Sequence, residues 1–464
     1  MKTLGQTATQ TTPRLLKLLL LAAIFYIPNQ GHFPDFSVTG LNVTNLLSIF
    51  MLLAILVSKT KVRTPIPLKG TFIFFFLVLT WGFLIGQVYD ASTTFADLQV
   101  LKNTIQYMLL FFLAYYAIQD TRTIRLLFLF ILFTTFFDIY LGLRQALDYG
   151  ITHYNETRRV AAPFSWNSAD SNRSSAFYCI YLVLVGAAAF YDRKSRMVRW
   201  GALGILALGV FVDFFTYSRQ SYFILAALAL ILTFRRNVVL ALIIAIALVN
   251  YHVWLPDSAI ARIDMTVQTD DSMPGVVAAP LNKELDTSTE SRFIIWGGAA
   301  QLIARNPWGI GLNHFERNIG TYVPDYAHYD AHNYYVLSTT ENGLLAPVAL
   351  LMLLFGLFRL GRSIEKLDDS ADSRMYGIGL SMAVMAVAMV NLYGSRFADG
   401  NLMSNFWIFA GLAARYRSLL LESRATAAAA APAESGARRR ISRWAPRPAA
   451  GVARSADSAA PSRF

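Results

Sequence analysis

The chain of 464 residues has a single cysteine, Cys179, and only 15% charged residues. A lone thiol excludes an internal disulfide, so any domain outside a membrane must hold together by packing. It also excludes zinc or iron–sulfur centres built on cysteine ligands. A soluble chain carries roughly a quarter charged residues. Acids are the scarcer sign here, 29 against 41 Lys and Arg. Also missing is the apolar/polar alternation that a membrane barrel requires. In its place are continuous apolar runs of about 17–22 residues, each long enough to cross a bilayer as a helix.

The expected fold is all-α: a polytopic membrane protein of about twelve transmembrane helices, with a mostly helical periplasmic loop domain between helices 9 and 10. By this reading helices 1–9 occupy residues 1–254, the loop domain 255–332 and helices 10–12 residues 333–421. Residues 422–464, rich in Ala, Arg, Pro and Ser, read as a disordered basic cytoplasmic tail. Lys2, Arg14 and Lys17 precede an apolar stretch with no small-residue cleavage site, as in a retained first helix.

Charge asymmetry orients these helices. Basic residues fill the loops at 59–69, 120–125, 192–199, 235–236 and 359–374, and the tail. The positive-inside rule puts all of these in the cytoplasm with both termini. The net charge of +12 then reflects topology and anionic lipid contact, not nucleic acid.

Arg219 violates the pattern. It lies in the short gap Thr216–Gln220 on the opposite side, where positive charge is avoided. An arginine there is expected to meet an anion. Arg292 falls in the first turn of a helix that the capping pattern Thr287–Glu290 opens and Asn306-Pro307 closes. The helix dipole does not favour a cation at that end. Phe293, Trp296, Ala300 and Ile303 form its expected apolar face, set against bilayer or bundle. His332 stands at the mouth of the tenth span in Asp330-Ala331-His332-Asn333-Tyr334-Tyr335. Alone, it serves equally as a general base or as a structural hydrogen-bonder. With Arg219 and Arg292 at the same external surface, the pattern is a base beside an anion clamp. Arginine's planar fork suits phosphate, and a pyrophosphate-linked lipid is the natural target at this depth.

Other candidates carry two readings each. Glu341, about two turns into the tenth span, binds an acceptor, assists His332 or takes an internal hydrogen bond. Arg173 meets lipid phosphate at the entrance to the sixth span. Arg396 binds substrate or pairs with Asp399 in the last external loop. Tyr335 belongs to a tyrosine-rich stretch of interface anchors or sugar-stacking platforms. His314 and His328 lack HxxxH or HExxH spacing, so neither metal nor cofactor is expected.

The chain resembles the bacterial O-antigen ligase and polysaccharide polymerase superfamily in four features. These are Ser218-Arg219-Gln220 opening an apolar helix; Arg292-Phe293-Ile294-Ile295-Trp296 followed by Asn306-Pro307-Trp308-Gly309-Ile310-Gly311; His332-Asn333 followed after nine residues by Gly343; and the large external loop between spans nine and ten. Ala346 stands where the ligase pattern has a second glycine. The resemblance is specific over about 200–400 and rests on hydropathy alone before that. It implies a metal-independent, inverting glycosyltransferase on the periplasmic face, with a glycan on undecaprenyl pyrophosphate as donor. Arg219 and Arg292 would hold the diphosphate, and His332 would activate the acceptor hydroxyl. Ser218 and Asn333 would belong to the substrate site. The acceptor would be lipid A–core for a ligase, or a growing glycan for a polymerase of O-antigen, capsule or exopolysaccharide. A transporter or flippase of lipid-linked sugar would need charges along a central path and an internal repeat. Neither is visible in the sequence.

Overall fold

The computed structural model describes residues 11–34, 42–58, 62, 64–166, 168–264 and 287–430, and these contain helices and no strand. The chain runs through α1 (Arg14–Asn29), α2 (Val43–Val57), α3 (Lys69–Tyr89), α4 (Thr94–Ala117), α5 (Thr121–Tyr149), α6 (Ser171–Tyr191), α7 (Arg196–Phe214), α8 (Arg219–Arg236) and α9 (Val238–Val249). The long connection that follows holds α10 (Asp257–Asp264), α11 (Thr287–Arg305) and the single turn α12 (Phe315–Asn318). Then come α13 (Tyr334–Asn342), α14 (Leu345–Glu365), α15 (Ala371–Val390) and α16 (Gly400–Ala430). Polar residues just before apolar runs start several of these helices by accepting a free backbone N–H. Asn42 caps α2, Asp120 caps α5, Ser195 caps α7 and Ser370 caps α15.

Among the described residues, α3, α5, α6, α7, α14 and α15 are long and apolar enough to cross a membrane. The other expected spans fall on helices that are shorter, such as α2 and α9, or that carry more charge, such as α8 with Arg219, Arg235 and Arg236. The apolar helices are consistent with a membrane protein. Large apolar side chains stay exposed on the outer helices, among them Leu56 and Val57 on α2 and Ile246 and Val249 on α9. A surface of this kind suits hydrocarbon rather than water. The centre is α6, buried along nearly its whole length and packed on α7, α8 and α15.

The chain divides into two compact units, Met1–Leu419 and Leu420–Phe464. In the second, α16 continues to Ala430, and residues 431–464 of the expected tail lie outside the described residues. The first unit holds everything that follows.

The run 333–358, read from the sequence as one span, is broken at Gly343 into α13 and α14. Gly343 has φ +83°, and a Cβ there would meet the Trp308 carbonyl carbon and oxygen at 2.7 Å. The 307–312 segment fits into this break. Leu344 N–H donates to Pro307 O (3.1 Å), Ile310 N–H to Thr340 O (3.0 Å) and Gly311 N–H to Glu341 O (3.0 Å). The segment is tied to α3 as well, Leu312 N–H donating to Gly82 O (3.0 Å). Only glycine fits at 311, where φ is +112° and a Cβ would lie 2.4 Å from the Gly86 Cα. Helix α11 runs to Arg305 and stops at the expected Asn306-Pro307. Its buried face differs from the expected one. Ile295, Ala299 and Leu302 pack with Ile310, Phe315, Ile319 and Ala331, whereas Phe293 and Ala300 are exposed. The two stripes are neighbours on the helix, and the sequence pattern does not separate them when both are apolar.

Candidate functional site

His332 sits between the 287–305 helix and the start of α13. Its backbone is left-handed, with φ +49°. Ala331 before it is buried, and the Trp296 Nε1–H donates to the Ala331 carbonyl at 2.8 Å. That bond fastens α11 next to the histidine. Arg292 lies one turn earlier than Trp296 on the same helix, in the i, i+4 relation that puts two residues on one face. After His332, the Asn333 Oδ1 accepts from Tyr335 N–H (2.9 Å) and Val336 N–H (3.2 Å) and opens α13. Asn333 is therefore a helix cap that fixes the residue beside it.

The electrostatics of the imidazole come from three directions. Its backbone N–H donates to Asp330 Oδ2 at 3.1 Å, and its Nδ1 lies 3.5 Å from that oxygen. The other Asp330 oxygen accepts from Ser395 Oγ at 2.9 Å, so the carboxylate is held by the α15–α16 loop. Burial pushes the imidazole's proton affinity below its ordinary value. Asp330 opposes that, while Arg292 and Arg396 push the same way as burial. The net result is a neutral imidazole at neutral pH, able to accept a proton.

Arg219 is the first residue of α8. Tyr217, two residues before it, is another left-handed non-glycine residue, with φ +50°. Such backbone is uncommon outside glycine and is held in place by its surroundings. Here Arg159 Nε–H donates to Thr216 O (2.9 Å), and Ser221 Oγ–H donates to the buried Asp213 (2.8 Å). Ser218 occupies the cap position of α8 yet makes no capping bond with its side chain. Its buried Oγ has no hydrogen-bond partner. Gln220 and Ser221 line a cavity together with Asn172 and Ser175 of α6 and with Arg396.

The remaining candidates are placed as follows. Arg173 is paired with Asp399 through two bonds of 2.5 and 2.7 Å and lies 4.2 Å over the Phe164 ring. The carboxylate considered as a partner for Arg396 is thus taken by Arg173. Tyr335 donates its hydroxyl to Ala388 O at 3.0 Å, bracing α13 against α15. Glu341 is buried, and its Oε1 accepts from Phe315 N–H at 3.2 Å. This is the internal partner that the sequence left as one of three roles. Glu341 also lines a cavity of about 120 Å³ with Asn313, Glu316, Asp330, Ser338 and Asn342. Burial, and next to it the Asp330 charge, raise the proton affinity of the Glu316 carboxyl. His314 Nε2–H donates to the buried Asp97 carboxylate at 3.0 Å. Among the described residues, no three His, Cys, Asp or Glu side chains group as metal ligands.

Sequence reasoning gave no site role to Asp330, nor to Trp296, which it set only on an apolar helix face and in the Arg292–Trp296 motif, nor to Asp213 or Arg159. The first two carried a signal: Asp330 stands two residues from His332, and Trp296 one helical turn from Arg292. Asp213 stands just before the 216–221 turn, at the end of an apolar helix, and was passed over; Arg159 carried no signal, because it reaches the turn from a distant part of the chain. Compared with models of known protein families and with curated proteins, the chain matches none.

Proposed function

We propose that the protein is a membrane glycosyltransferase that moves a glycan from a lipid diphosphate to an acceptor hydroxyl, on the periplasmic face of a bacterial inner membrane. The observation that carries this reading is His332: an imidazole held neutral by burial and by the cations Arg292 and Arg396, and oriented by Asp330. Such a group takes a proton from a hydroxyl, and cations beside it receive a leaving anion. In the proposed step the acceptor O–H gives its proton to His332 as its oxygen bonds to the anomeric carbon. The bond from that carbon to the diphosphate oxygen breaks, and the electron pair leaves with the diphosphate. Arg219 and Arg292 hold the diphosphate and stabilise its growing charge. Attack from the face opposite the leaving group inverts the anomeric centre. The sequence resemblance to O-antigen ligases and polysaccharide polymerases supports the same substrates, with undecaprenyl pyrophosphate as the donor lipid. The left-handed backbone at His332 accords with a preorganised base.

The test is the substitution of His332, Arg219 and Arg292 by Ala, one at a time, in cells of the source organism. Each is expected to abolish the polymer or its attachment, a loss of a hundredfold or more in product (about 10²–10⁴ for a general base). Normal glycan display in all three variants refutes the reading. The lipid-linked material identifies the acceptor: long chains left on the carrier indicate a ligase, and single repeats indicate a polymerase.

A further inference from the structure

Among the described residues, Arg396 is a cation without an ion-pair partner. The acid three residues on, Asp399, has both oxygens engaged by Arg173 at 2.5 and 2.7 Å. Among the described residues no carboxylate lies within 4.0 Å of the Arg396 guanidinium. Its backbone is pinned, Arg396 N–H donating to Asn391 Oδ1 at 3.0 Å. The side chain is half-buried, and burial lowers its proton affinity while Asp399 and Asp330 work against that from longer range. A half-buried guanidinium offering five donors and engaging no acid is costly unless something anionic completes it.

The surroundings indicate what would complete it. Arg396 lines its cavity with Gln220 and Ser221 from the first turn of α8, and with Asn172 and Ser175. The space is about 10 Å³, the size of one water or one phosphoryl oxygen. At this end of α8, among the described residues, Ser218 Oγ and Gln220 Oε1 lack partners. The lining mixes Asn172, Ser175, Gln220, Ser221 and Arg396 with apolar residues such as Ile224 and Val390, and it contains no carboxylate. Arg396 also acts on His332, lowering its proton affinity together with Arg292.

We propose that Arg396 is a third diphosphate ligand. It would seat one phosphoryl oxygen of a lipid diphosphate against the first turn of α8, beside His332. This rests on the reading of the site as one for lipid-linked glycan donors. Two cations that both weaken the proton's hold on His332, Arg292 and Arg396, would then be neutralised by the bound diphosphate. Donor binding would thereby raise the basicity of His332 when the acceptor is to be deprotonated.

The probe is farnesyl diphosphate, with inorganic pyrophosphate and farnesyl monophosphate beside it, titrated into the purified full-length protein in lipid nanodiscs. Arg396→Gln is expected to weaken farnesyl diphosphate binding about tenfold to a hundredfold, the loss of a charge-assisted contact. In the unmodified protein, farnesyl diphosphate is expected to protect Arg396 from phenylglyoxal, read by peptide mass spectrometry. This second measurement stands even where the variant does not fold. If the wild type binds farnesyl diphosphate and Arg292→Gln weakens it, but Arg396→Gln does not and Arg396 is unprotected, the Arg396 assignment is overturned alone. If the wild type binds no farnesyl diphosphate, the donor reading falls with it. If inorganic pyrophosphate binds as tightly and protects as well, the lipid part of the assignment is overturned.

Discussion

Replacing Asp330 by Asn removes one charge beside His332 and keeps the shape of the side chain. A carboxylate favours imidazolium, so its loss must lower the histidine's proton affinity further. Two unit charges at the observed 3.5 Å interact by about 1 kcal/mol in water and about 5 kcal/mol at an effective dielectric of 20. The imidazole is 40% exposed and the carboxylate 28%, which places the pair near the aqueous limit. The expected shift is therefore about one pH unit downward. Diethylpyrocarbonate reads it directly, because the reagent acylates only neutral imidazole. The rate at the His332 peptide is followed by mass spectrometry over a pH series, which separates it from the other five histidines among the six in the chain. In Asp330→Asn the midpoint should fall, and activity carried by neutral His332 should persist to lower pH. Arg292→Gln should move it the other way, because a cation that disfavours imidazolium is gone. A midpoint that stays or rises in Asp330→Asn refutes the electrostatic account of this site.

Two further substitutions probe the framework around the base. Gly343→Ala forces a side chain onto φ +83° and into the Trp308 carbonyl; it should cost about 1–3 kcal/mol, read as a lowered unfolding midpoint. An unchanged midpoint would show that the break between α13 and α14 tolerates a Cβ. Trp296→Phe deletes the 2.8 Å bond to the Ala331 carbonyl, with a small stability loss of about 1 kcal/mol. Its effect should fall on kcat rather than on donor affinity, since His332 loses its tether while Arg219 keeps its place; an affinity loss with kcat intact would place Trp296 in donor binding instead.

The sequence made the helical, apolar character of the chain plain, because runs without charge have few other physical outcomes. It also located α11 closely, from the residues that start and stop it: the helix begins at Thr287 and ends before Asn306-Pro307. The break at Gly343 was not legible. An apolar run continues across it, and the cause is the distant backbone of Pro307 and Trp308, which no local pattern reveals. His332, Arg219 and Arg292 stood out as polar residues in costly places. Their partners did not. Arg396 and Asp399 looked like a pair from proximity in the chain, but Arg173 reaches Asp399 from α6 with better fork geometry. Asn333 and Tyr335 looked like ligands beside the base; the Asn333 Oδ1 caps α13 and the Tyr335 hydroxyl donates to the Ala388 carbonyl.

The seam between the 307–312 segment and α13 is made of main-chain bonds, with Leu312 adding the link to α3. Apart from its glycines and the Trp81 indole, which donates to the Trp308 carbonyl at 3.0 Å, the seam is held by backbone groups. The spacing between α11 and the helix that follows His332 is therefore inherited with the backbone. In evolutionary terms, the placement of α13 and the chemistry at its mouth are written in different alphabets here: descendants of this chain could change rim residues, Trp296 apart, with no new fold to find.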